Sequence, residues 1–320
     1  MGRLKYDFTK IRRGMGIINA IELILVPRIL TKLGCNRYSQ SNVIERFIDK
    51  NFKQILTFYA QNKFDICADK NIPNIIWIFW WQGIEQMPNV IEECYNSVLR
   101  NANGRRVILL TRDNYQEYII LPKYIIDKFQ AGIISFPHFS DLVRVFLLKQ
   151  YGGMWLDAAV YVLKPIPFHD TIFFSPKIPE GKHDTPHLHK WVIGVMAAPP
   201  MTPLFMFLYE ILLSYWKRYD TDITYLMFDY FIRYGYEHFN WLEEIIDNRP
   251  IESPGFFSTR YLFPNEVDEY SLNSIIEKNT FISLTYRIHY PVKLDNGSYS
   301  YYSALLKKMK NNENNMNRSL

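Results

Sequence analysis

The chain has few of the features that define several common protein classes. Its 320 residues include only three cysteines, Cys35, Cys67 and Cys94. Three scattered thiols form neither an even disulfide framework nor a metal-binding spacing, which favours reduced thiols in a cytosolic protein. Dense runs of lysine and arginine with interleaved aromatics are absent, and the net charge is only +5. We therefore expect no nucleic-acid partner.

Long apolar runs are also missing. No uninterrupted run reaches the roughly 18 residues that a membrane-spanning helix needs. The N-terminus has no small-residue cleavage site after a short apolar core, so we expect no signal peptide. Tyr6 stands where an N-myristoylation motif has Ser or Thr. These absences predict a cytoplasmic location.

Hydrophobic residues are abundant, at 48% of the chain, and aromatic residues reach 16%. A chain of this length and composition buries a sizeable core, and most of its aromatic rings are expected to lie there. The sequence predicts three regions: an N-terminal helical extension (1–70), one α/β catalytic domain (71–308) and a low-complexity, disordered tail (309–320).

The first 34 residues form a basic, partly apolar segment in which charged residues flank 15–26. This pattern fits an amphipathic helix on an anionic membrane surface, and it equally fits a helix packed on the domain with its charges in water. The sequence leaves both interpretations open. A second amphipathic helix is predicted over 42–61.

Residues 75–81 form a continuous run of apolar, β-branched and aromatic side chains, which is typical of a buried parallel strand. A helix is predicted over 88–100 and a second buried strand over 105–111, so these elements form a βαβ unit. Further on, Ser140 is predicted to cap a helix that runs to Gln150, and Gly152-Gly153 to end it with positive φ angles.

Charged residues interrupt this apolar region at three positions. Asp141 and Arg144 are three residues apart on one helix, so they share a face that is otherwise apolar. They are either a structural ion pair or a ligand-binding pair. Asp157 ends a predicted central strand (154–156), and the carboxyl edge of an open α/β sheet is where ligands bind. Asp157 is therefore a candidate to hold a divalent cation or a ribose hydroxyl.

The pattern Asp141-x-x-Arg144, Gly152-Gly153-x-x-x-Asp157 resembles glycosyltransferase family 32, particularly its bacterial capsular polysaccharide synthesis members. The catalytic domains of large clostridial glucosylating toxins share this spacing. Residues 72–83 look like the first strand of the same family, and the segments 113–115 and 138–141 fit it as well. The resemblance is good over about 70–167 and weaker to about 305.

The resemblance implies a GT-A fold, a Rossmann-like nucleotide-diphospho-sugar transferase with a mixed central sheet. It implies a retaining hexosyltransferase that moves galactose or glucose from a UDP-sugar to a lipid-diphosphate-linked saccharide in capsule synthesis, at the inner face of the cell membrane. Trp80 would stack on the nucleobase, Asp141 and Arg144 would bind sugar hydroxyls, and Asp157 would contact the ribose and the metal-diphosphate group. The full set implied for the donor is Trp80, Trp81, Gln82, Ser140, Asp141, Arg144, Asp157, Ala158 and Arg287.

One departure concerns the metal. The family usually carries Asp-x-Asp, whereas this chain has Asp157-Ala158-Ala159. A single carboxylate holds Mn²⁺ or Mg²⁺ more weakly, with diphosphate oxygens completing the shell. Within 283–290, which resembles a late motif of these enzymes, Arg287 is a candidate cation and His289 a candidate metal ligand. The alternative is an ordinary strand with solvated charges.

Two further groups are candidates. Asp229-Tyr230 matches an Asp-Tyr pair in the family, so Asp229 is predicted to face the reacting sugar or the acceptor hydroxyl; otherwise it is a helix-surface aspartate. The histidines His183, His187 and His189 fall in a polar loop that gives no rigid zinc geometry. Because the second metal carboxylate is missing, a catalytically silent sugar-nucleotide-binding subunit of a capsule assembly complex is the alternative function. A third is a peripheral membrane adaptor that uses the basic N-terminus.

Overall fold

The computed structural model describes residues 2–32, 40–66, 71–169, 171–179, 185–249 and 252–318. Cys35, Cys67 and His183 lie outside these residues. The described chain is mixed α/β. Its helices are α1 (Gly2–Met15), α2 (Ile17–Ala20), α3 (Val26–Lys32), α4 (Gln40–Gln61), α5 (Asn89–Asn101), α6 (Lys123–Gln130), α7 (Phe136–Gln150), α8 (Pro203–Arg218), α9 (Met227–His238), α10 (Asn240–Asp247), α11 (Thr259–Leu262), α12 (Glu269–Lys278) and α13 (Tyr301–Arg318).

The six strands form two sheets. They are β1 (Ile75–Phe79), β2 (Arg106–Leu110), β3 (Gly153–Asp157), β4 (Val160–Val162), β5 (Val195–Ala198) and β6 (Phe281–Ser283). The main sheet has the order β2-β1-β3-β5, and β4 pairs with β6. Strands β1, β2 and β3 are parallel, while β5 runs antiparallel to β3. The predicted mixed central sheet and the β1-α5-β2 unit are confirmed.

Helix α7 connects the sheet to the charged residues of the motif. It begins at Phe136 with Ser135 as its N-cap residue, and Pro137 lies in the first turn, where its missing N–H costs nothing. The prediction that Ser140 caps this helix is therefore wrong: the proline starts the helix earlier and Ser140 lies inside it. Asp141 and Arg144 are buried, as the apolar residues around them predicted.

The largest core cluster lies on one side of the sheet and joins the N-terminal helices to the rest of the chain. Apolar side chains of α1 and α4 pack in the same cluster as those of α7, α8 and α9. Phe47 of α4, for example, contacts the rings of Tyr215 and Tyr219 edge-on or tilted. The division at residues 70 and 71 stays a prediction, because this core shows no break that would test it.

Two details of the ends of the chain follow. Among the residues that the structure describes, no helix combines the length and apolar character that crossing a bilayer requires. In the described residues helix α13 continues to Arg318, and the disorder predicted for 309–320 stays a prediction. The segment contains neither proline nor glycine, and the first turns of α13 are anchored by the buried residues Tyr301, Tyr302 and Leu305.

The Gly152-Gly153 turn has the predicted positive φ angles, 65° and 92°. A Cβ at position 152 would lie 2.6 Å from the backbone nitrogen of Pro200 and 2.7 Å from the carbonyl oxygen of Ala198. A Cβ at position 153 would lie 2.7 Å from the carbonyl oxygen of Ile75. The turn therefore needs glycine both for its backbone conformation and for the close packing that places β3 beside β1.

We expect Gly152→Ala to lower the free energy of unfolding by at least about 2 kcal/mol, from left-handed strain plus backbone contact. The matched control is Gly132→Ala, where φ is 71° but nothing lies within 4 Å of the added carbon. That control should cost only about 1 kcal/mol. Urea unfolding of both variants measures the difference, and equal losses would contradict the packing argument.

Candidate functional site

A pocket of about 260 Å³ opens where the parallel strands β1 and β3 end. Phe79, the last residue of β1, is in register with Asp157, the last residue of β3. Parallel strands present their carboxyl ends at one edge, and this edge is the expected ligand position of an α/β sheet. The side chains around it come from the strand ends, α5, α7, α9 and nearby loops. They are Phe79, Trp80, Ile91, Pro137, Ser140, Asp141, Arg144, Trp155, Asp157, Ala158, Ala159, Ile193, Tyr225, Leu226, Phe228, Asp229 and Tyr286.

Arg144 lies at the centre of the charged part of the pocket. Its Nη2 is 3.1 Å from Asp157 Oδ1 and 3.5 Å from Asp141 Oδ1. The indole Nε1–H of Trp155 donates a second hydrogen bond to Asp157 Oδ1, at 2.7 Å. The guanidinium thus joins the carboxylate of the preceding helix to the carboxylate at the sheet edge. The acid–guanidinium couple is an internal ion pair, and it also faces the pocket.

Two aromatic rings hold the guanidinium in place. Arg144 Cζ is 5.0 Å from the ring centroid of Trp155 and 5.2 Å from that of Phe228. Contacts of this kind suit a planar, weakly hydrated cation better than an ammonium. Arg144 Nε and Nη1 are buried and find no hydrogen-bond partner among the described residues. A ligand hydroxyl in the pocket would satisfy donors that the protein leaves open.

Asp229 forms the far wall of the pocket on α9. It is 4% exposed, and its Oδ1 accepts a hydrogen bond of 2.9 Å from Trp191 Nε1. The pKa of Asp229 is raised to about 7, chiefly by burial and also by the nearby carboxylates of Asp141 and Asp157, against the opposing effects of the Trp191 hydrogen bond and of Arg144. A carboxyl group with this pKa exchanges its proton near neutral pH, which suits it to face a reacting hydroxyl.

The predicted site residues divide into two groups. Trp80, Ser140, Asp141, Arg144, Asp157, Ala158 and Asp229 all line the pocket. The others do not. Trp81 packs against the rings of Phe129, Phe136 and Phe139, and Gln82, Arg287 and His289 are exposed outside the lining. Their roles in binding stay predictions.

Several lining residues were not singled out from the sequence. Trp155 and Asp157 are two apart on one strand, so their shared face was predictable from strand geometry. Tyr286 meets Trp80 edge-on at 5.9 Å between ring centroids, and no local pattern indicates that contact. Tyr225 and Phe228 enter from the start of α9, which only the tertiary structure brings to the sheet edge.

The residues present fit a divalent cation poorly. Asp157 is a carboxylate at the sheet edge, but its Oδ1 already accepts from Trp155 and pairs with Arg144. Ala158 and Ala159 line the pocket where the family's second carboxylate would be. Hard cations take six or more oxygen ligands, and the described lining does not supply them. The described lining is therefore not a metal site by itself.

In the polar loop, His187 and His189 have ring centroids 5.2 Å apart, but this pair alone forms no metal site.

Fold and pocket together define an α/β protein with a charged, aromatic-walled site at the carboxyl edge of parallel strands. The chain belongs to the capsular polysaccharide synthesis protein family, which it matches over residues 30–305. It is 27% identical over 128 residues to "O-glycosyltransferase braB" of Annulohypoxylon truncatum, an alignment that covers 37% of this chain and 30% of that protein. These similarities support the prediction of a transferase enzyme.

The alignment with a solved structure, "PaToxG Glycosyltransferase", covers 62% of this chain and 79% of the chain in that structure, at 15% sequence identity and a TM-score of 0.38. This likeness is low, and it leaves the GT-A assignment a prediction. The narrower placement in glycosyltransferase family 32 and the bacterial origin also stay predictions.

We expect Asp229→Asn to stabilise the fold relative to the wild type as the pH rises. A carboxyl group whose pKa is raised by folding does not destabilise the folded state at a pH below its unfolded pKa. Above that pH its ionisation lowers the free energy of unfolding more and more, until the pH reaches the folded pKa of about 7. Between pH 5 and pH 8 the difference in free energy of unfolding should therefore shift toward the variant by on the order of 2–3 kcal/mol. Urea unfolding across this range measures it. A difference that does not change with pH would contradict a buried, proton-exchanging Asp229.

Proposed function

We propose that this chain is a retaining glycosyltransferase that moves a hexose, galactose or glucose, from a UDP-sugar to a saccharide acceptor in capsular polysaccharide synthesis. The observation that carries the proposal is the convergence of Asp141, Arg144, Asp157 and Asp229 on one pocket at the sheet edge. Membership of the capsular polysaccharide synthesis family and the glycosyltransferase relative support it.

The shape and lining suit a sugar nucleotide. Trp80 and Tyr286 offer rings at one side of the pocket, where a nucleobase can stack. Asp141 and Arg144 offer acceptors and donors for sugar hydroxyls on the other side. Trp80 Nε1 is buried with no hydrogen-bond partner among the described residues, so a bound base or ribose would satisfy it. The pocket thus contains aromatic and charged walls in one cavity.

The charge of the pocket requires a further cation. The described lining residues carry three carboxyl groups, on Asp141, Asp157 and Asp229, and one guanidinium, on Arg144. A diphosphate would meet net negative charge there, which opposes binding. We propose that Arg287, from the exposed segment after β6, supplies the missing positive charge, or that Mn²⁺ or Mg²⁺ enters with the diphosphate, which would then provide most of its oxygen ligands, with Asp157 as the one carboxylate that could contribute from the sheet edge. The two sources differ in their dependence on added metal.

The chemistry we propose is substitution at the anomeric carbon with retention. The bond from this carbon to the diphosphate oxygen breaks, and the acceptor hydroxyl attacks the oxocarbenium-like centre from the same face. The leaving phosphate oxygen takes the proton of the acceptor hydroxyl, so no separate protein base is needed. The residues orient the sugar and stabilise the developing charge, which is the main source of catalysis in such a site.

Asp229 is the residue we propose to face the reacting centre. Its carboxyl group lines the same pocket as Asp157, together with Phe228 and Leu226. When ionised it stabilises positive charge on the anomeric carbon, and burial strengthens that interaction. Its raised pKa makes the ionised fraction, and hence the rate, increase as the pH approaches and passes about 7.

The most informative experiment is a panel of nucleotide sugars, each with and without Mn²⁺, scored for donor hydrolysis and transfer. We expect turnover of a UDP-hexose, with a dependence on Mn²⁺ if a metal supplies the cation. If the protein binds a sugar nucleotide without turnover, it is the silent binding subunit. If no nucleotide sugar binds or reacts, the proposal is wrong.

We expect Asp157→Ala to lower kcat by about a hundredfold or more, because it removes the carboxylate at the sheet edge and with it the ion pair that holds Arg144.

Arg144→Lys should lower kcat/KM at least about tenfold, since an ammonium cannot reproduce the planar contacts that the guanidinium makes with Trp155 and Phe228. The matched control is Asp127→Ala, an exposed aspartate on α6. Thermal unfolding shows whether each variant is folded. If the folded Asp157→Ala variant turns over as fast as the wild type, Asp157 has no role in the reaction.

We further propose that the acceptor is a lipid-diphosphate-linked saccharide and that the protein binds the cytoplasmic face of the membrane through residues 1–34. Ile17, Ile18 and Ile21 are 52%, 65% and 41% exposed, although the opposite side of this segment, with Ala20, is buried. Arg12 and Arg13 are exposed beside them. Exposed isoleucines flanked by basic residues suit an anionic bilayer surface.

For this surface we expect the double variant Ile17→Ser, Ile18→Ser to bind vesicles about tenfold more weakly than the wild type, from the apolar area lost. Co-sedimentation with vesicles in which about one third of the lipid is anionic measures this binding. The control is Ile120→Ser, a residue that is 81% exposed and does not belong to this segment. Equal binding of both variants would show that the segment does not contact lipid, and undiminished binding to neutral vesicles would remove the basic residues from the proposal.

A further inference from the structure

Asp141 also belongs to a row of charged side chains whose other members, His138, Asp222 and Lys10, are not part of the pocket lining. His138 of α7 is 2% exposed and lies between two carboxylates. Its Nδ1 is 3.5 Å from Asp141 Oδ2, and its Nε2 is 3.8 Å from Asp222 Oδ2. Asp222 Oδ1 in turn accepts a hydrogen bond of 2.6 Å from Lys10 Nζ of α1. An unbroken line of alternating charges therefore runs from the N-terminal helix to the donor pocket.

The two oxygens of Asp141 face different cations. Oδ1 is 3.5 Å from Arg144 Nη2, while Oδ2 is 3.5 Å from His138 Nδ1. Because Arg144 lies closer to Asp157, at 3.1 Å, it alone would hold Asp141 weakly. A cation on each oxygen fixes the plane of the carboxylate. His138 therefore decides how Asp141 is turned toward the pocket.

The segment that carries Asp222 is clamped on α1. The carbonyl oxygen of Gly14 accepts a hydrogen bond of 2.9 Å from the backbone nitrogen of Asp220. A Cβ on Gly14 would lie 2.6 Å from the side chain of Thr221, so the two backbones are in close contact. The same segment continues to Tyr225 and Leu226, which line the pocket. Helix α1 thus supports both Asp222 and one wall of the pocket.

We propose that His138 is a positioning residue for Asp141, and that Lys10 holds it in place through Asp222, so that the N-terminal helix completes the donor pocket. This inference rests on the proposed function. It does not require the histidine to touch the substrate. It assigns α1 a role in sugar binding in addition to any contact with a membrane.

The protonation of His138 supports this arrangement. Burial acts to lower the pKa of the imidazole, and the interactions with Asp141 and Asp222 outweigh it and raise the pKa to about 9. The charged groups that face it are Asp141 and Arg144 on its own helix and Asp222, backed by Lys10, from the other side. The rings of Trp216 and Tyr225 are its aromatic neighbours, at 5.8 and 6.3 Å between centroids. The stabilisation of the fold by protonated His138 is fully present at a pH below the unfolded pKa, near 6.5, and is lost as the pH rises through the folded pKa of about 9.

The test uses the full chain with Asp222→Asn, a nearly isosteric change at a partly exposed position. We expect the KM for the donor to rise about three- to tenfold, with a smaller change in kcat. The alkaline limb of kcat/KM against pH should move down by about one pH unit. His138→Gln should raise the donor KM as well and should remove that limb. The matched control is Lys217→Met, which removes an exposed lysine at the end of α8.

A readout independent of activity separates this inference from the proposed function. NMR titration of the histidine side chains, with His138 assigned by its loss in His138→Gln, should show that Asp222→Asn lowers its pKa, because the variant removes a carboxylate that faces the imidazole. An unchanged pKa together with an unchanged donor KM overturns the inference. If the wild type reacts with no nucleotide sugar while the titration shifts as expected, the proposed function fails and the charge chain stands.

Discussion

The site depends on one buried cation. Arg144 pairs with Asp157 at the end of β3 and with Asp141 on its own helix, so it fixes α7 against the edge of the central sheet. A buried guanidinium is stable only while its partners are present, and loss of either carboxylate would leave uncompensated charge. The same ion pairs that hold the structure also present polar atoms to the pocket. The structural interpretation of the Asp-x-x-Arg pair is therefore confirmed, and its ligand-binding interpretation stays a prediction that this geometry permits.

The backbone makes that ion pair possible. Gly152 and Gly153 turn the chain sharply out of α7 and into β3, where neither position has room for a side chain. This brings Asp157 back to the level of Arg144, thirteen residues earlier in the chain. The sequence predicted this part of the fold well, because positive φ angles, buried apolar runs and the period of a helix are all local properties. It failed at Ser140, where Pro137 started the helix one turn earlier than expected.

Contacts between distant segments were the part that the sequence did not predict. Trp191 reaches Asp229 from 38 residues away, and Tyr286 meets Trp80 from more than two hundred. Nothing in the local pattern around either residue indicates these pairs, because they depend on how loops pack after the sheet has formed. The same limit applies to Arg287 and His289. Their sequence motif suggested a binding role, but the segment after β6 turns Tyr286 toward the pocket and leaves both of them exposed.

The N-terminal segment has features of both interpretations that its sequence left open, packing on the domain and contact with a membrane surface. One side of α1 is buried, with Ile11 and Met15 in the main core, and Lys10 bonds to the segment that borders the pocket. The helices that follow expose isoleucines on the other side. A helix packed on the domain and a helix that faces a membrane are therefore compatible, since different faces serve each contact. The hydrogen bond from Asp220 to Gly14 and the close contact of Gly14 with Thr221 join α1 to the segment that carries Asp222, so in the proposed function the same N-terminal segment would support the pocket and face the lipid.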